Sequence, residues 1–296
     1  MAKTPIFTGA ATAIVTPFTE NSIDFDAFEN IIEFQIKNSI DAIVVCGTTG
    51  EASTMHDEEH LSAIKFVVDK VAGRVPVIAG TGSNYTSHCI ELSQEAEKLG
   101  ADALLVVTPY YNKTTQTGLI KHYEAVADSV NLPIVVYNVP SRTGLNMSAS
   151  TLKALSAHKN INAIKEASGD ITLVAKMVAL CGDDIVMYSG NDDMTVPVMS
   201  VGGKGIISVV SNILPKDVHD MAQKYLDGDI EESRKLQLKL MEIIGAAFVE
   251  VNPIPIKTAM NLLGFNAGKL RLPLCDMSSA NLEVLKKAMT NYGLNF

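Results

Sequence analysis

Eight short apolar runs recur along this chain at intervals of about 20 to 35 residues, and that rhythm restricts the fold more than any other feature. The runs are Ala11 to Val15, Ala42 to Cys46, Val75 to Ala79, Ala103 to Val107, Ile134 to Tyr137, Ala163 to Lys165, Ile185 to Ser189 and Gly205 to Val209. Most are continuous rather than alternating, the pattern of parallel strands covered on both faces. Helix signals fill the intervals. Acids open the turn from Asp24 to Glu29, Gly100 stops the segment from Ser83 to Leu99, and Ser148 begins another. Eight strand–helix alternations predict an α/β fold, a (β/α)8 TIM barrel. A doubly wound open sheet is the alternative, but no G-x-G-x-x-G follows the first run. After Asp229 the rhythm changes, and Glu231 to Val249, Pro255 to Leu263 and Ser278 to Tyr292 read as three helices without strands between them. The expected organisation is a catalytic barrel over residues 1–228 and a helical extension over 229–296 packed upon it.

A chain of 296 residues, 47% apolar and 19% charged, can bury a large core. Its net charge of -9 argues against nucleic acid or an anionic membrane as the main partner, while leaving room for a local cationic pocket. Cys46, Cys89, Cys181 and Cys275 are far apart and form no C-x-x-C or Cys/His cluster, so neither a metal site nor a disulfide framework is expected. No run has the length of a signal peptide or a membrane span. A soluble, cytoplasmic protein with reduced thiols is the simplest expectation.

Lys165 is the most telling single residue. It lies in Asn162-Ala163-Ile164-Lys165-Glu166-Ala167-Ser168-Gly169, a short strand running into a glycine-containing loop. An ammonium group in a buried strand costs several kcal/mol unless it is paired or neutralised. Two readings are open: an ion pair with Glu166 or another acid, or a neutral amine that attacks carbonyl carbon.

Reactive groups of a barrel gather at the C-terminal ends of its strands. The second run leads into Cys46-Gly47-Thr48-Thr49-Gly50-Glu51, a tight turn whose hydroxyls and N–H groups can cradle a carboxylate, or an ordinary turn with Glu51 in a helix cap. The fourth leads into Thr108-Pro109-Tyr110-Tyr111-Asn112-Lys113; adjacent tyrosines point apart, one toward a site and one toward an interface, unless both are surface packing. The fifth places a phenol, Tyr137, at its tip, with Arg142 following in a turn shaped by Pro140 and Gly144. Arg142 can clamp a carboxylate bidentately, or is a solvated loop arginine. Jointly these groups suit Schiff-base chemistry on a keto acid without a cofactor or metal.

The segments Gly47 to Glu51, Tyr137 to Gly144, Ile164 to Gly169 and Asn252-Pro253-Ile254-Pro255-Ile256-Lys257, with Leu270-Arg271-Leu272-Pro273, resemble the 4-hydroxy-tetrahydrodipicolinate synthase (dihydrodipicolinate synthase) family over essentially the whole chain. This family belongs to the Schiff-base pyruvate lyase/aldolase superfamily. The resemblance implies a lyase of diaminopimelate and lysine biosynthesis that condenses pyruvate with L-aspartate 4-semialdehyde. It further implies that Lys165 forms the Schiff base and that Tyr137, Thr48 and Tyr111 relay protons, Tyr111 across a subunit interface. Thr48 and Thr49 would hold the pyruvate carboxylate, helped by backbone around Gly190 and Ile207, and Arg142 the semialdehyde carboxylate. The implied assembly is a homotetramer, a dimer of tight dimers. Ala52, Ser53, His60, Asn84, His88 and Tyr110 map to the lysine effector pocket of feedback-inhibited members. Those members usually carry a glutamate where this chain has His88, which argues for weak or absent lysine feedback unless Asp57 compensates.

N-acetylneuraminate lyases and 2-keto-3-deoxy sugar acid aldolases share the lysine and tyrosine, so Thr48-Thr49 and Arg142 carry the distinction in favour of the synthase. A catalytically idle barrel acting as a binding protein would have lost a site residue, and none is missing. A phosphate-binding barrel is suggested only by Gly80-Thr81-Gly82 and Gly202-Gly203-Lys204-Gly205, without a Walker-type Lys-Ser/Thr.

Overall fold

A computed structural model describes residues 2–296. Eight parallel strands close into one barrel in sequence order: β1 Gly9–Ala13, β2 Ala42–Val45, β3 Val77–Gly80, β4 Ala103–Val107, β5 Ile134–Asn138, β6 Ile161–Glu166, β7 Val186–Ser189 and β8 Gly205–Ser208. The outer layer comprises α1 Phe25–Lys37, α2 Asp57–Val71, α3 Thr86–Lys98, α4 Gln116–Asp128, α5 Pro140–Thr143, α6 Ala149–Ser156, α7 Ile171–Cys181, α8 Thr195–Ser200 and α9 Pro215–Leu226. Caps start these helices where short polar side chains precede them. Asp24 accepts from Ala27 N, Ser148 from Thr151 N, and Asp170 from Thr172 N and Leu173 N.

The pleat sorts each strand into two faces. One set of alternate residues, including Ala11, Val44, Ile78, Leu105, Val135, Ala163, Val186 and Ile207, fills the barrel interior. The other set, including Ile43, Val45, Leu104, Val106, Val136, Ile164 and Met187, packs against the helices. Phe7 closes the bottom of the barrel, stacked on Tyr188 with ring centroids 4.3 Å apart, and its carbonyl accepts from the Tyr188 hydroxyl at 2.7 Å.

Strand limits shift from the sequence expectation by up to two residues, and three of the shifts have a visible cause. β1 begins two residues earlier, because Gly9 and Gly205 pair backbone to backbone where β1 meets β8. β3 begins two residues later, after Pro76, whose nitrogen has no proton for the ladder. β2 stops before Cys46, which turns into the left-handed region at φ 55° and sends the chain into the Gly47 loop. The turn around Arg142 is the one-turn helix α5, ended by Gly144 in a left-handed conformation.

The chain continues into α10 Ile230–Ala247, α11 Ile254–Leu262 and α12 Ser279–Tyr292. Their apolar faces join the outer core of the barrel, with Leu240, Ile243, Met260, Leu285 and Met289 in the same cluster as the barrel's helix-facing residues. Gln237 donates to the Asp192 carbonyl and Ser233 to the Met221 carbonyl, which fastens α10 over the strand-7 loop and α9. None of the helices among the described residues is long and apolar enough to cross a membrane.

Candidate active site

Strand register brings the two central groups together. Lys165 on β6 is level with Tyr137 on β5 and Tyr188 on β7, and its Nζ lies 4.4 Å from the centre of the Tyr137 ring. The lysine is 5% exposed, and none of the described carboxylates lies within ion-pair distance of it. Pairing with Glu166 is ruled out by the pleat, since consecutive side chains leave a strand on opposite faces. Glu166 instead turns outward, accepting from Asn138 Nδ2 at 2.8 Å and Ser168 N at 2.6 Å. Burial therefore acts on Lys165 with little relief. It lowers the amine to about 8, with Asp192 pulling upward and Arg142 reinforcing the fall. Asp192 is itself buried and committed to the Ser208 hydroxyl and the Val209 and Val210 N–H groups, and burial pushes its carboxyl upward. The Tyr137 phenol is also raised by burial, opposed by the nearby Arg142 charge and the Thr48 hydroxyl.

Above this pair, at the C-terminal end of the barrel, is a cavity of about 190 Å³. Gly47, Thr48, Thr49, Tyr137, Arg142, Lys165 and Gly190 line it, so four separate strand ends converge there. Arg142 donates from Nη2 to the main-chain carbonyl of Asn252 at 3.0 Å, and it has no carboxylate partner among the described residues. Thr49 is buried, and its hydroxyl oxygen accepts from Asn252 Nδ2 at 3.0 Å. Two cations without counter-charges thus face one small cavity alongside a phenol and two hydroxyls.

Two expected contributors act differently. The Gly190 N–H is occupied by the Glu166 carbonyl at 2.7 Å, so it is not free for a substrate carboxylate. A Cβ at Gly190 would lie 2.7 Å from Ala167 Cβ and 3.1 Å from Lys165 Cγ, so glycine there makes room for the lysine stem. Ile207 belongs to the interior packing of the barrel and does not line the cavity; Val209 does, because the site begins only beyond the end of β8. The glycines of Gly80 to Gly82 and Gly202 to Gly205 serve backbone packing. A Cβ on Gly80 would strike the Cys46 carbonyl and one on Gly205 the Gly9 carbonyl.

A second cavity of about 610 Å³ adjoins the first and shares Gly47, Thr48, Tyr137 and Arg142 with it. Ala52, Ser53, His60, Asn84, His88 and Tyr110 all line this second space. His60 is buried with Nε2 2.8 Å from the Gly80 carbonyl, and burial lowers its pKa. His88 Nε2 lies 3.0 Å from both Asp57 oxygens. Tyr111 lines neither cavity. It is 93% exposed, and it is held outward at φ 65° by a loop whose neighbours Tyr110 and Asn112 bond to Asn84.

Sequence reasoning missed the anchor of the Thr48–Thr49 loop. Glu51 does stand at the N-cap position of a single 3-10 turn, Ala52–Thr54, but its side chain caps nothing there. It is buried, accepting from Lys257 Nζ at 2.6 Å and from Arg271 N at 3.1 Å. Lys257 also donates to the Lys269 carbonyl, and the centre of the Phe18 ring is 4.4 Å from Lys257 Nζ and 3.8 Å from Arg271 Cζ. The available signal was a single charge in the otherwise uncharged helix IPIKTAMNL.

Comparison with known proteins agrees with this geometry. The model of the dihydrodipicolinate synthetase family matches residues 6–292. The chain belongs to that family. A 4-hydroxy-tetrahydrodipicolinate synthase from Caldicellulosiruptor saccharolyticus is 58% identical over 292 residues, covering 98% of this chain and 99% of the relative. Two solved members of the family superpose with a TM-score of 0.96. One, described as the first monomeric dihydrodipicolinate synthase variant, is 42% identical and covers 98% of each chain. The other, from Cyanidioschyzon merolae with lysine bound, is 39% identical, covering 99% of this chain and 100% of its own.

Proposed function

We propose that the protein is a lyase of diaminopimelate and lysine biosynthesis, acting in the cytoplasm, that condenses pyruvate with L-aspartate 4-semialdehyde. The observation that carries this reading is the pair of uncompensated cations, Lys165 and Arg142, facing one cavity with Tyr137, Thr48 and Thr49. An amine lowered to about 8 keeps an appreciable neutral fraction near pH 7. Its Nζ attacks the keto carbon of pyruvate, and loss of water leaves an imine; no cofactor is needed. The protonated imine acidifies the methyl group, which loses a proton to form an enamine. That carbon attacks the aldehyde carbon of the second substrate, whose oxygen takes up a proton. Attack by the substrate's own amino group on the imine carbon then releases Lys165 and closes the ring of 4-hydroxy-tetrahydrodipicolinate. Tyr137 and Thr48 move the protons. Thr48 and Thr49 hold the pyruvate carboxylate and Arg142 that of the semialdehyde.

A coupled assay with the downstream reductase and NADPH tests the reaction. Turnover that vanishes in Lys165→Ala supports it. No turnover, with pyruvate still trapped by borohydride on Lys165, would keep the Schiff base and move the electrophile to a sugar aldehyde.

Tyr111 points away from its own cavity, which supports a relay completed in a neighbouring subunit of a homotetramer built from tight dimers. Co-expressed Lys165→Ala and Tyr111→Phe chains should then recover activity in mixed dimers, and failure to recover would overturn the trans role. For the second cavity we propose an effector pocket that answers weakly to lysine. Asp57 is the one acid lining it, and it faces His88 rather than standing free for an ammonium group. Inhibition by micromolar lysine would overturn this.

A further inference from the structure

We infer that Asn252 is a positioning residue that fixes the direction of the Thr49 hydroxyl and the separation of the two carboxylate-binding groups. This rests on the assignment of Thr49 to pyruvate. Asn252 enters the site from the segment before α11, outside the barrel strands. Its Nδ2 is 3.0 Å from Thr49 Oγ1, and its main-chain carbonyl accepts from Arg142 Nη2 at 3.0 Å. One residue therefore touches both groups. It is 5% exposed, and Thr49 is 2% exposed, so water cannot readily replace the bond between these two side chains.

The chemistry of the amide gives the contact a direction. An amide nitrogen only donates, so Thr49 Oγ1 must be the acceptor in this bond. The Thr49 proton has no partner among the described residues, and Thr49 lines the cavity. That leaves the hydroxyl proton free to donate to a ligand, which suits a carboxylate. The Asn252 Oδ1 atom is buried without a partner, so Thr49 is the contact that orients the amide. The Lys257–Glu51 pair anchors this arrangement at both ends, because Glu51 follows the Thr48–Thr49 turn and Lys257 lies on α11 just beyond Asn252.

Substituting aspartate keeps the shape and reverses the direction, since a carboxylate only accepts. Thr49 would then donate to residue 252 and turn its lone pairs toward the substrate. Hydrogen bonds to a charged group are worth about 1.5–3 kcal/mol, so the loss of pyruvate affinity in Asn252→Asp should be roughly tenfold or more. In Asn252→Ala the hydroxyl stays free to donate, and the loss should be about threefold.

Calorimetric titration of pyruvate into Thr49→Val, Asn252→Asp, Asn252→Ala and the two doubles separates the possibilities. Thr49→Val should weaken pyruvate roughly tenfold. If it does not, the assignment of Thr49 fails, and this inference with it. If Thr49→Val weakens pyruvate and Asn252→Asp does not, the Thr49 hydroxyl donates to Asn252 and the inference alone is wrong. Either Asn252 change should cost little further once Thr49 is valine. An equal loss in both backgrounds would mean charge or packing, not hydroxyl direction, and would overturn it. The alanine series decides the matter even if the aspartate variant does not fold. All the variants retain the carbonyl that holds Arg142, so KM for the semialdehyde should move by less than about threefold while pyruvate binding moves most. A general structural defect would move both.

Discussion

Lys165 and Lys257 are both buried ammonium-bearing side chains, 5% and 1% exposed, and burial lowers the pKa of both. Their surroundings separate them. Lys257 has a carboxylate at 2.6 Å and a carbonyl at 2.9 Å, and it ties the C-terminal helices to the Thr48–Thr49 loop. Lys165 has a phenol ring, a cavity and an aspartate already committed to other donors. Burial with a partner makes a fastening; burial without one leaves an amine suited to the nucleophilic role proposed for Lys165.

Exchanging or removing these groups should break the comparison in a definite order. Lys165→Ala should lower turnover by a factor of about 10^4 or more, since the covalent step has no substitute, and should abolish borohydride trapping of pyruvate. Mass spectrometry of the trapped protein checks that the adduct sits on Lys165 and not on Lys257. Lys257→Ala should act first on stability, by about 3–5 kcal/mol in denaturant unfolding, because Glu51 is left buried and uncompensated. Combining Glu51→Gln with Lys257→Met should recover much of that loss, and a double variant no better than the single would weaken the account.

pH should sharpen the same contrast. With Lys165 lowered to about 8, the neutral amine grows as pH rises, so the rate of pyruvate capture should climb about tenfold per unit below that value and level off above it. The linkage to stability has the same sign. The penalty for burying the charged amine is complete below about 8 and disappears as pH rises from there to the unfolded value of 10.5. A capture rate flat from pH 6 to 9 would contradict a free amine at this site. The smallest effect belongs to the neighbouring cavity. His88→Glu should strengthen lysine inhibition by about tenfold, as expected of one added charge pair at a half-exposed position, read from the lysine concentration that halves turnover.

Much of the barrel was legible in the order of residues. All eight strands lie within two residues of the apolar runs, because strands buried on both faces must be apolar throughout. Their ends were less legible at Gly9, Cys46 and Pro76, where backbone pairing and left-handed geometry leave little trace in hydropathy. In the site, Lys165, Tyr137, Thr48, Thr49 and Arg142 share one cavity, as strand-end reasoning expects. Gly190 and Ile207 line or support it in other ways, since which N–H groups remain free depends on neighbouring strands.

The chain's own pattern determined the parallel barrel, the helical extension and the set of reactive groups at the strand ends, because period and composition follow directly from what each face must bury. Only the tertiary structure decided which charges were paired. The partner of Glu51 lies 206 residues away on α11, and that of Thr49 lies 203 residues away at Asn252. Lys165 is denied its adjacent glutamate by the pleat. A charge's chemistry depends on what stands within a few ångströms of it, and those neighbours are assembled from distant parts of the chain.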